Sequence, residues 1–208
     1  MHSKNVLETG LALTEAKKAL IMLHGRGGSA ADIVTLTKYL PVNDFYIAAP
    51  QAVNNTWYPY SFLAPVAQNE PWLSSALALV SEVVNDLVAS GFTHDKIYIL
   101  GFSQGACLTL EFAARNARNW GGIVALTGGL IGEHLDTGNY QGSFAGTGIL
   151  MTNSQNDPHV PFSRSEESKK TLEKMGAEVS LKIFPNRPHT ILREELELAG
   201  ELLTSVNR

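Results

Sequence analysis

The pentapeptide Gly101-Phe102-Ser103-Gln104-Gly105 lies between the apolar run Ile97-Tyr98-Ile99-Leu100 and a helix-like stretch over 106–118. A serine bracketed by spaced glycines at a strand-to-helix turn reads as a nucleophile elbow. The requirement behind the pattern is steric. The serine takes a strained backbone conformation that aims its oxygen out of the turn, and the helix must then pass close to the strand. Side chains at 101 or 105 would collide there, so both positions call for glycine. The strand, turn and helix context gives the pattern its weight.

Short apolar runs alternate with longer amphipathic segments from Ala19 onward, the pattern of a largely parallel sheet wrapped by helices. The runs read as strands are 19–23, 45–49, 96–100, 122–126, 149–152 and 178–184. Over 71–90, Leu73, Leu77, Val80, Val84 and Leu87 recur at helical spacing and stop at Gly91; 163–175 ends at Gly176 in the same way. Thr190 is read as the cap of a last helix burying Leu192, Leu196, Ala199, Leu203 and Val206. Thr9-Gly10, between Val6-Leu7 and 11–13, reads as the turn of an edge hairpin. The expectation is one α/β domain over 1–208, a mostly parallel central sheet with helices on both faces, with too few residues between strands for a large cap domain. The aromatic-rich 51–70 and glycine-rich 130–147 stretches are loop candidates bordering a shallow site.

A net charge of −4, with 16 Lys and Arg spread thinly, offers no basic patch for nucleic acid. A single cysteine excludes an internal disulfide and Cys-rich zinc sites, so no metal is expected, and it is compatible with a reducing cytoplasm. Lys4 and Glu8 interrupt any signal-like apolar core, and no run approaches the ~20 residues of a membrane span. A soluble, cytoplasmic protein is the expectation.

A serine hydroxyl is a poor nucleophile alone, so the elbow predicts a histidine base and an orienting carboxylate, in the chain order Ser, acid, His. The aspartates after Ser103 are Asp136 and Asp157, and Asp157 follows the strand at 149–152, beyond a carboxyl end of the sheet. Of His134, His159 and His189, His189 follows the last strand and is the base chosen. His159, two residues past Asp157 and held by Pro158 and Pro161, has too short a loop to fold back onto that aspartate, and reads as a group beside the site. His24 reads as a packed residue at a strand end, and His2 and His94 as solvated. Developing negative charge on a tetrahedral intermediate needs aimed N–H donors. The N–H of Gln104, at a helix N-terminus, is one candidate and the N–H of Arg26, in the glycine-rich turn 25–28, the other.

Two rivals use the same residues. Gly25-Arg26-Gly27-Gly28-Ser29-Ala30 matches a dinucleotide fingerprint, which would make a nicotinamide oxidoreductase, but the second strand ends Ala48-Ala49-Pro50-Gln51 without the acidic residue the ribose needs. A non-catalytic binding protein on the same fold would ordinarily lack a triad member. Cys107, one turn past Ser103, reads as packing against the sheet. Trp57 and Tyr58, in an aromatic cluster with Tyr60 and Phe62, read as a substrate-pocket wall. The Arg26 side chain either reaches an anionic substrate or points to water.

Leu23-His24-Gly25-Arg26-Gly27-Gly28, Ala49-Pro50, Trp57-Tyr58-Pro59, Gly101-Phe102-Ser103-Gln104-Gly105-Ala106 and Asp157-Pro158-His159-Val160-Pro161 resemble, in order, motifs of the phospholipase/carboxylesterase family of small α/β-hydrolases, which includes the acyl-protein thioesterases. The resemblance runs from Ala19 to His189. It implies Ser103 as nucleophile, Asp157 as acid, His189 as base, backbone donors at Arg26 and Gln104, hydrolysis of a small-molecule carboxylic ester or thioester, no cofactor, and frequent homodimers. A carboxylesterase of small to medium acyl esters is expected, with acyl-thioesterase or lysophospholipase as the alternative. The chain departs from the family's thioesterase branch at Arg26-Gly27-Gly28, which is more like bacterial carboxylesterases, and from the common glycine before the base histidine at Pro188.

Overall fold

The apolar runs become strands buried from both sides. The computed structural model describes residues 1–205, and seven strands form one sheet: β1 (Val6–Gly10), β2 (Lys18–Leu23), β3 (Phe45–Pro50), β4 (Ile97–Phe102), β5 (Gly122–Leu126), β6 (Gly148–Ser154) and β7 (Glu178–Phe184). Their spatial order is β1-β3-β2-β4-β5-β6-β7, with β1 antiparallel to β3 and every other pair parallel. Six α-helices are present among the described residues: α1 (Ala30–Val34), α2 (Val66–Asn69), α3 (Trp72–Ala89), α4 (Gln104–Arg115), α5 (Phe162–Lys174) and α6 (Arg193–Thr204). Successive strand residues point to opposite faces, so Ala19, Ile21 and Leu23 join the apolar layer of α3, α4 and α5, while Leu20 and Met22 join that of α1 and α6. A strand flanked by helices on both faces has no polar side to show, hence the unbroken apolar runs.

Several expectations shift. The strand expected over 96–100 starts one residue later and reaches Phe102, because His94–Lys96 closes a short 3-10 turn. The hairpin at Thr9-Gly10 is not formed. β1 pairs with β3 instead, Leu11 continues by donating to the Phe45 carbonyl at 2.9 Å, and Gly10, at φ +82°, lies where a Cβ would sit 2.4 Å from that carbonyl. The glycine therefore serves a close approach to β3 rather than a turn. Thr190 does not cap the last helix. α6 starts at Arg193, and the N–H of Leu192 is taken by the Glu195 carboxylate at 2.7 Å; Val206 lies outside the described residues. In α3 the buried stripe is Leu73, Ala76, Leu79, Val80, Val83, Val84 and Leu87, with Leu77 only partly covered. α3 alone among the described helices has the length and apolarity of a membrane span, and that apolar stripe packs on the sheet.

The histidines read as solvated are engaged. His2 hydrogen-bonds the Trp57 carbonyl at 2.9 Å and the Val53 N–H at 3.1 Å, and His94 packs edge-on to Trp120 at 5.4 Å. His24, at the end of β2, is buried as expected. Its Nε2 accepts the Ala52 N–H at 3.1 Å, which leaves the proton on Nδ1 to donate to the Gly25 carbonyl at 2.8 Å. The Trp57 indole donates to the His24 carbonyl at 2.8 Å and the two rings lie 4.9 Å apart. Three contacts thus join the turn after β2 to the segment after β3.

Two outcomes follow from this packing. A Cβ at Gly105 would sit 2.1 Å from the Leu23 carbonyl oxygen and 2.6 Å from that of His24, whereas one at Gly27 meets nothing within 4 Å. Gly105→Ala should therefore lose about 3 kcal/mol or more of stability in urea unfolding, and Gly27→Ala only the ~1–2 kcal/mol of its left-handed backbone. Burial lowers the His24 pKa below its ordinary 6.5, with proximity to His2 acting the same way and the Gly25 hydrogen bond and Asp32 acting against it. Below pH 6.5 the unfolded chain takes up a proton that folded His24 resists, so the stability from neutral His24 is complete above that pH and lost as pH falls through the lowered value. The unfolding free energy should decline from pH 7.5 toward pH 5, and decline less steeply in His24→Gln.

Candidate active site

The carboxyl ends of β4, β6 and β7 bring together three side chains far apart in sequence. Ser103 sits between β4 and α4 at φ +53°, ψ −117°, a strained conformation for a non-glycine residue. It is held there by its N–H donating to the Leu126 carbonyl and its own carbonyl accepting from Cys107, both at 3.0 Å. A Cβ at Gly101 would lie 2.3 Å from the Gly105 carbonyl oxygen and 2.5 Å from Thr109 Oγ1, so both glycines of the elbow are sterically required.

Asp157 follows β6 through a short loop, with its side chain fully buried. Its Oδ1 accepts the N–H groups of His159 at 2.9 Å and Val160 at 3.0 Å. His189, in the loop after β7, places Nδ1 2.8 Å from Asp157 Oδ2 and 3.1 Å from Oδ1, and Nε2 2.8 Å from Ser103 Oγ. Burial of Asp157 works against its ionisation, but the hydrogen bonds from His189 and from the two backbone N–H groups outweigh it and hold the carboxyl below its ordinary value. A carboxylate on Nδ1 fixes the proton there and leaves Nε2 free to accept from the serine hydroxyl. Phe102 packs on the imidazole at 5.3 Å, and the exposed His159 meets it edge-on at 4.7 Å. Asp136 stays outside, accepting the N–H of Gly138 in a local turn.

The turn 25–28 lies against the elbow: a Cβ at Gly25 would approach Ser103 Cβ to 3.5 Å. Among the described residues, neither the Arg26 N–H nor the Gln104 N–H is taken by a protein acceptor. The dinucleotide rival fails on geometry. The N-terminus of α1 is filled internally, with Ser29 N–H donating to Asp32 Oδ2 and Ala30 N–H donating to Gln51 Oε1, each at 2.8 Å. Gln51, directly after β3, thus takes one of the N–H groups that a bound phosphate would need.

A cleft of about 400 Å³ opens over Ser103, Gln104 and His189, walled by 58–62 on one side and His159 and Val160 on the other, with Cys107 among its lining residues. Trp57 does not line it. That ring is fully buried behind the wall against His24, because its indole N–H needs a buried acceptor. Tyr58 does line it. The 130–147 loop, expected as a second wall, does not line the cleft: the Gly132 N–H donates to the carbonyl of the wall residue Phe62 at 2.7 Å, and buried Arg164 donates to the carbonyls of Leu130, Gly132 and Glu133 at 3.0, 2.6 and 2.9 Å. Burial pushes the Cys107 thiol up to about 12, against a weaker opposing hydrogen bond from Gly129, so it stays protonated.

Two side chains have roles that pattern reading missed. The exposed Arg26 side chain, at the cleft, is held by the wall: Nη1 donates to the Pro59 carbonyl at 2.9 Å and Nη2 to those of Tyr58 and Tyr60 at 3.0 and 2.7 Å. The Gln104 amide accepts from the Trp57 N–H at 2.9 Å and donates to the Tyr58 carbonyl at 2.8 Å. The two residues read as backbone donors also clamp the aromatic wall, and the only hint was their place in motifs that a wall must face.

A family model described as Phospholipase/Carboxylesterase matches residues 10–207. The crystal structure of a phospholipase/carboxylesterase from Dyadobacter fermentans is 54% identical, covers 98% of each chain and superposes with a TM-score of 0.97. A probable carboxylesterase SOBER1-like protein of Arabidopsis thaliana is 27% identical over 88% of this chain and 76% of its own. Acyl-protein thioesterase 1 of Kluyveromyces lactis is 24% identical over 93% of both chains. With its sheet order, its helices on both faces and the absence of a cap domain among the described residues, the chain belongs to the phospholipase/carboxylesterase family of α/β-hydrolases and is a carboxylic ester hydrolase.

Proposed function

We propose that the protein is a cofactor-independent serine carboxylesterase, one domain over 1–208, in which Ser103 is the nucleophile, His189 the base and Asp157 the residue that orients it. The supporting observation is the unbroken hydrogen-bond relay from Ser103 Oγ through His189 to Asp157, each link at 2.8 Å. His189 Nε2 takes the serine proton as Oγ attacks the acyl carbon, and the carbonyl oxygen becomes an oxyanion beside the N–H groups of Arg26 and Gln104. Collapse of that intermediate expels the alcohol, which receives the proton from Nε2 and leaves an acyl-serine. Water then attacks with His189 again as base, and the acid departs. Asp157, ionised and buried, stabilises the imidazolium formed in each half without accepting its proton.

The cleft also supports a substrate class. Its volume lies at the low end of the ~300–1,000 Å³ typical of small-molecule sites. The guanidinium at its mouth is engaged by three carbonyls, and no ionised carboxylate or free lysine lines it. Uncharged acyl groups of small to medium length fit this lining. Acyl thioesters share the acyl-serine intermediate and differ only in the leaving group, and a relative 24% identical bears the name acyl-protein thioesterase 1.

Ser103→Ala should abolish hydrolysis of p-nitrophenyl acetate. Asp157→Asn should lower kcat by about 10³–10⁴-fold by releasing the imidazole tautomer, and full activity in either variant would remove the triad reading. Across p-nitrophenyl esters from acetate to palmitate, kcat/KM should peak at or below octanoate. A maximum at palmitate, or acyl-thioester turnover exceeding that of every oxygen ester, would replace the carboxylesterase with the long-chain or thioesterase alternative.

A further inference from the structure

The loop 185–192 carries His189 from β7 to α6, with Pro188 directly before it. Beside it, Arg187 turns inward until its side chain is 1% exposed. A guanidinium so deep persists only when its charge is paired and most of its donors are met. Nη1 donates to the carbonyls of Pro188, at 3.3 Å, and Thr190, the two residues flanking His189. Nη2 donates to Thr127 Oγ1 at 2.6 Å, while Nε makes no hydrogen bond and faces the fully buried Glu195 carboxylate as an ion pair at 3.6 Å. Glu195 in turn accepts the Leu192 N–H and the Thr152 hydroxyl. One side chain therefore grips the backbone on both sides of the histidine and ties it to the ends of β5 and β6 and the first turn of α6.

The anchor at Thr127 has a particular neighbour. Leu126, the preceding residue of β5, accepts the N–H of Ser103 at 3.0 Å. Thr127 itself is held at φ +61°, with its N–H on the Thr152 carbonyl at 2.9 Å. The serine and the histidine thus hang from the last residue of β5 and the residue directly after it. Asp157 fixes the tilt of the imidazole through Nδ1 but makes no hydrogen bond to the backbone that carries it, whereas Arg187 does.

We propose that Arg187 is a positioning residue that sets the separation between Ser103 Oγ and His189 Nε2 by locking 188–190 to the end of β5. This rests on the reading of Ser103 as nucleophile and His189 as base. Arg187→Lys keeps the charge but loses the planar fork that reaches both flanks of His189 and Thr127 together. Thr127→Val removes only the anchoring hydroxyl and keeps both the ion pair and a β-branched residue at the same backbone angles.

The test is steady-state turnover on p-nitrophenyl acetate, normalised to the serine titrated by a fluorophosphonate. A one-ångström misplacement of a catalytic group costs on the order of 10²-fold, so kcat per titrated serine should fall roughly 10- to 100-fold in Arg187→Lys and Thr127→Val, with KM within about twofold of wild type. Thr127→Ser, which restores the hydroxyl, should recover wild-type kcat. A purely structural role would shrink the titratable fraction and leave turnover per titrated site unchanged, and that result overturns the proposal. So does a rise in KM at constant kcat. Should Arg187→Lys fail to fold, Thr127→Val decides alone. A wild-type enzyme that does not titrate at Ser103 would remove the triad reading itself and Arg187's role with it, an outcome distinct from unchanged turnover in the variants.

Discussion

The structure depends on a close approach of backbone to backbone: the first turn of α4 passes so near the ends of β2 and β4 that no Cβ fits at Gly101 or Gly105. Carbonyls of Leu23, His24 and Gly105 fill the space that side chains would need. That approach forces the sharp turn at Ser103, lifts its backbone into φ +53°, and points its oxygen away from the sheet. It also sets the β2 turn against the elbow, so that a Cβ at Gly25 would come within 3.5 Å of Ser103 Cβ. Strain at one serine is sustained because the sheet on either side, buried on both faces, leaves the turn no other path.

Around that point the molecule uses single residues for two purposes. Arg26 and Gln104, the residues proposed as backbone donors to the oxyanion, use their side chains to clasp the 56–60 segment through its carbonyls and N–H groups. His24 does the same work from the other side, accepting from Ala52 while its carbonyl takes the Trp57 indole. The cleft wall is therefore a loop without regular structure held by charge-assisted and buried hydrogen bonds. The opposite wall, His159 and Val160, is fixed by the same carboxylate that orients the imidazole.

Much of this was legible in the chain, and for definable reasons. Strands buried on both faces must be continuously apolar, so β2 through β7 stood out, and the glycine pattern marked Ser103 because only one kind of turn demands it. The position of Asp157 and His189 after strands 149–152 and 178–184 was enough to place them at one rim of a parallel sheet. What escaped was set by long-range contact. β1 reads locally as half a hairpin, yet its partner is β3, some forty residues on, and Gly10 serves that contact. α1 is one short turn, with too few residues to show a period. Trp57 and Tyr58 look alike in an aromatic run, and only the buried acceptor at the His24 carbonyl turns one inward while the other borders the cleft. The hold on 130–133 comes from Arg164, a residue whose position in a charged amphipathic helix gives no sign that it is buried.

The most direct test is reaction of the native protein with a fluorophosphonate at neutral pH followed by peptide mapping. A hydroxyl paired to His189 and backed by Asp157 should take one label per chain, on the peptide containing Ser103, and His189→Ala should suppress it. Modification at another serine, or an unlabelled protein that still hydrolyses esters, would contradict the assembly of these three side chains into a working nucleophile.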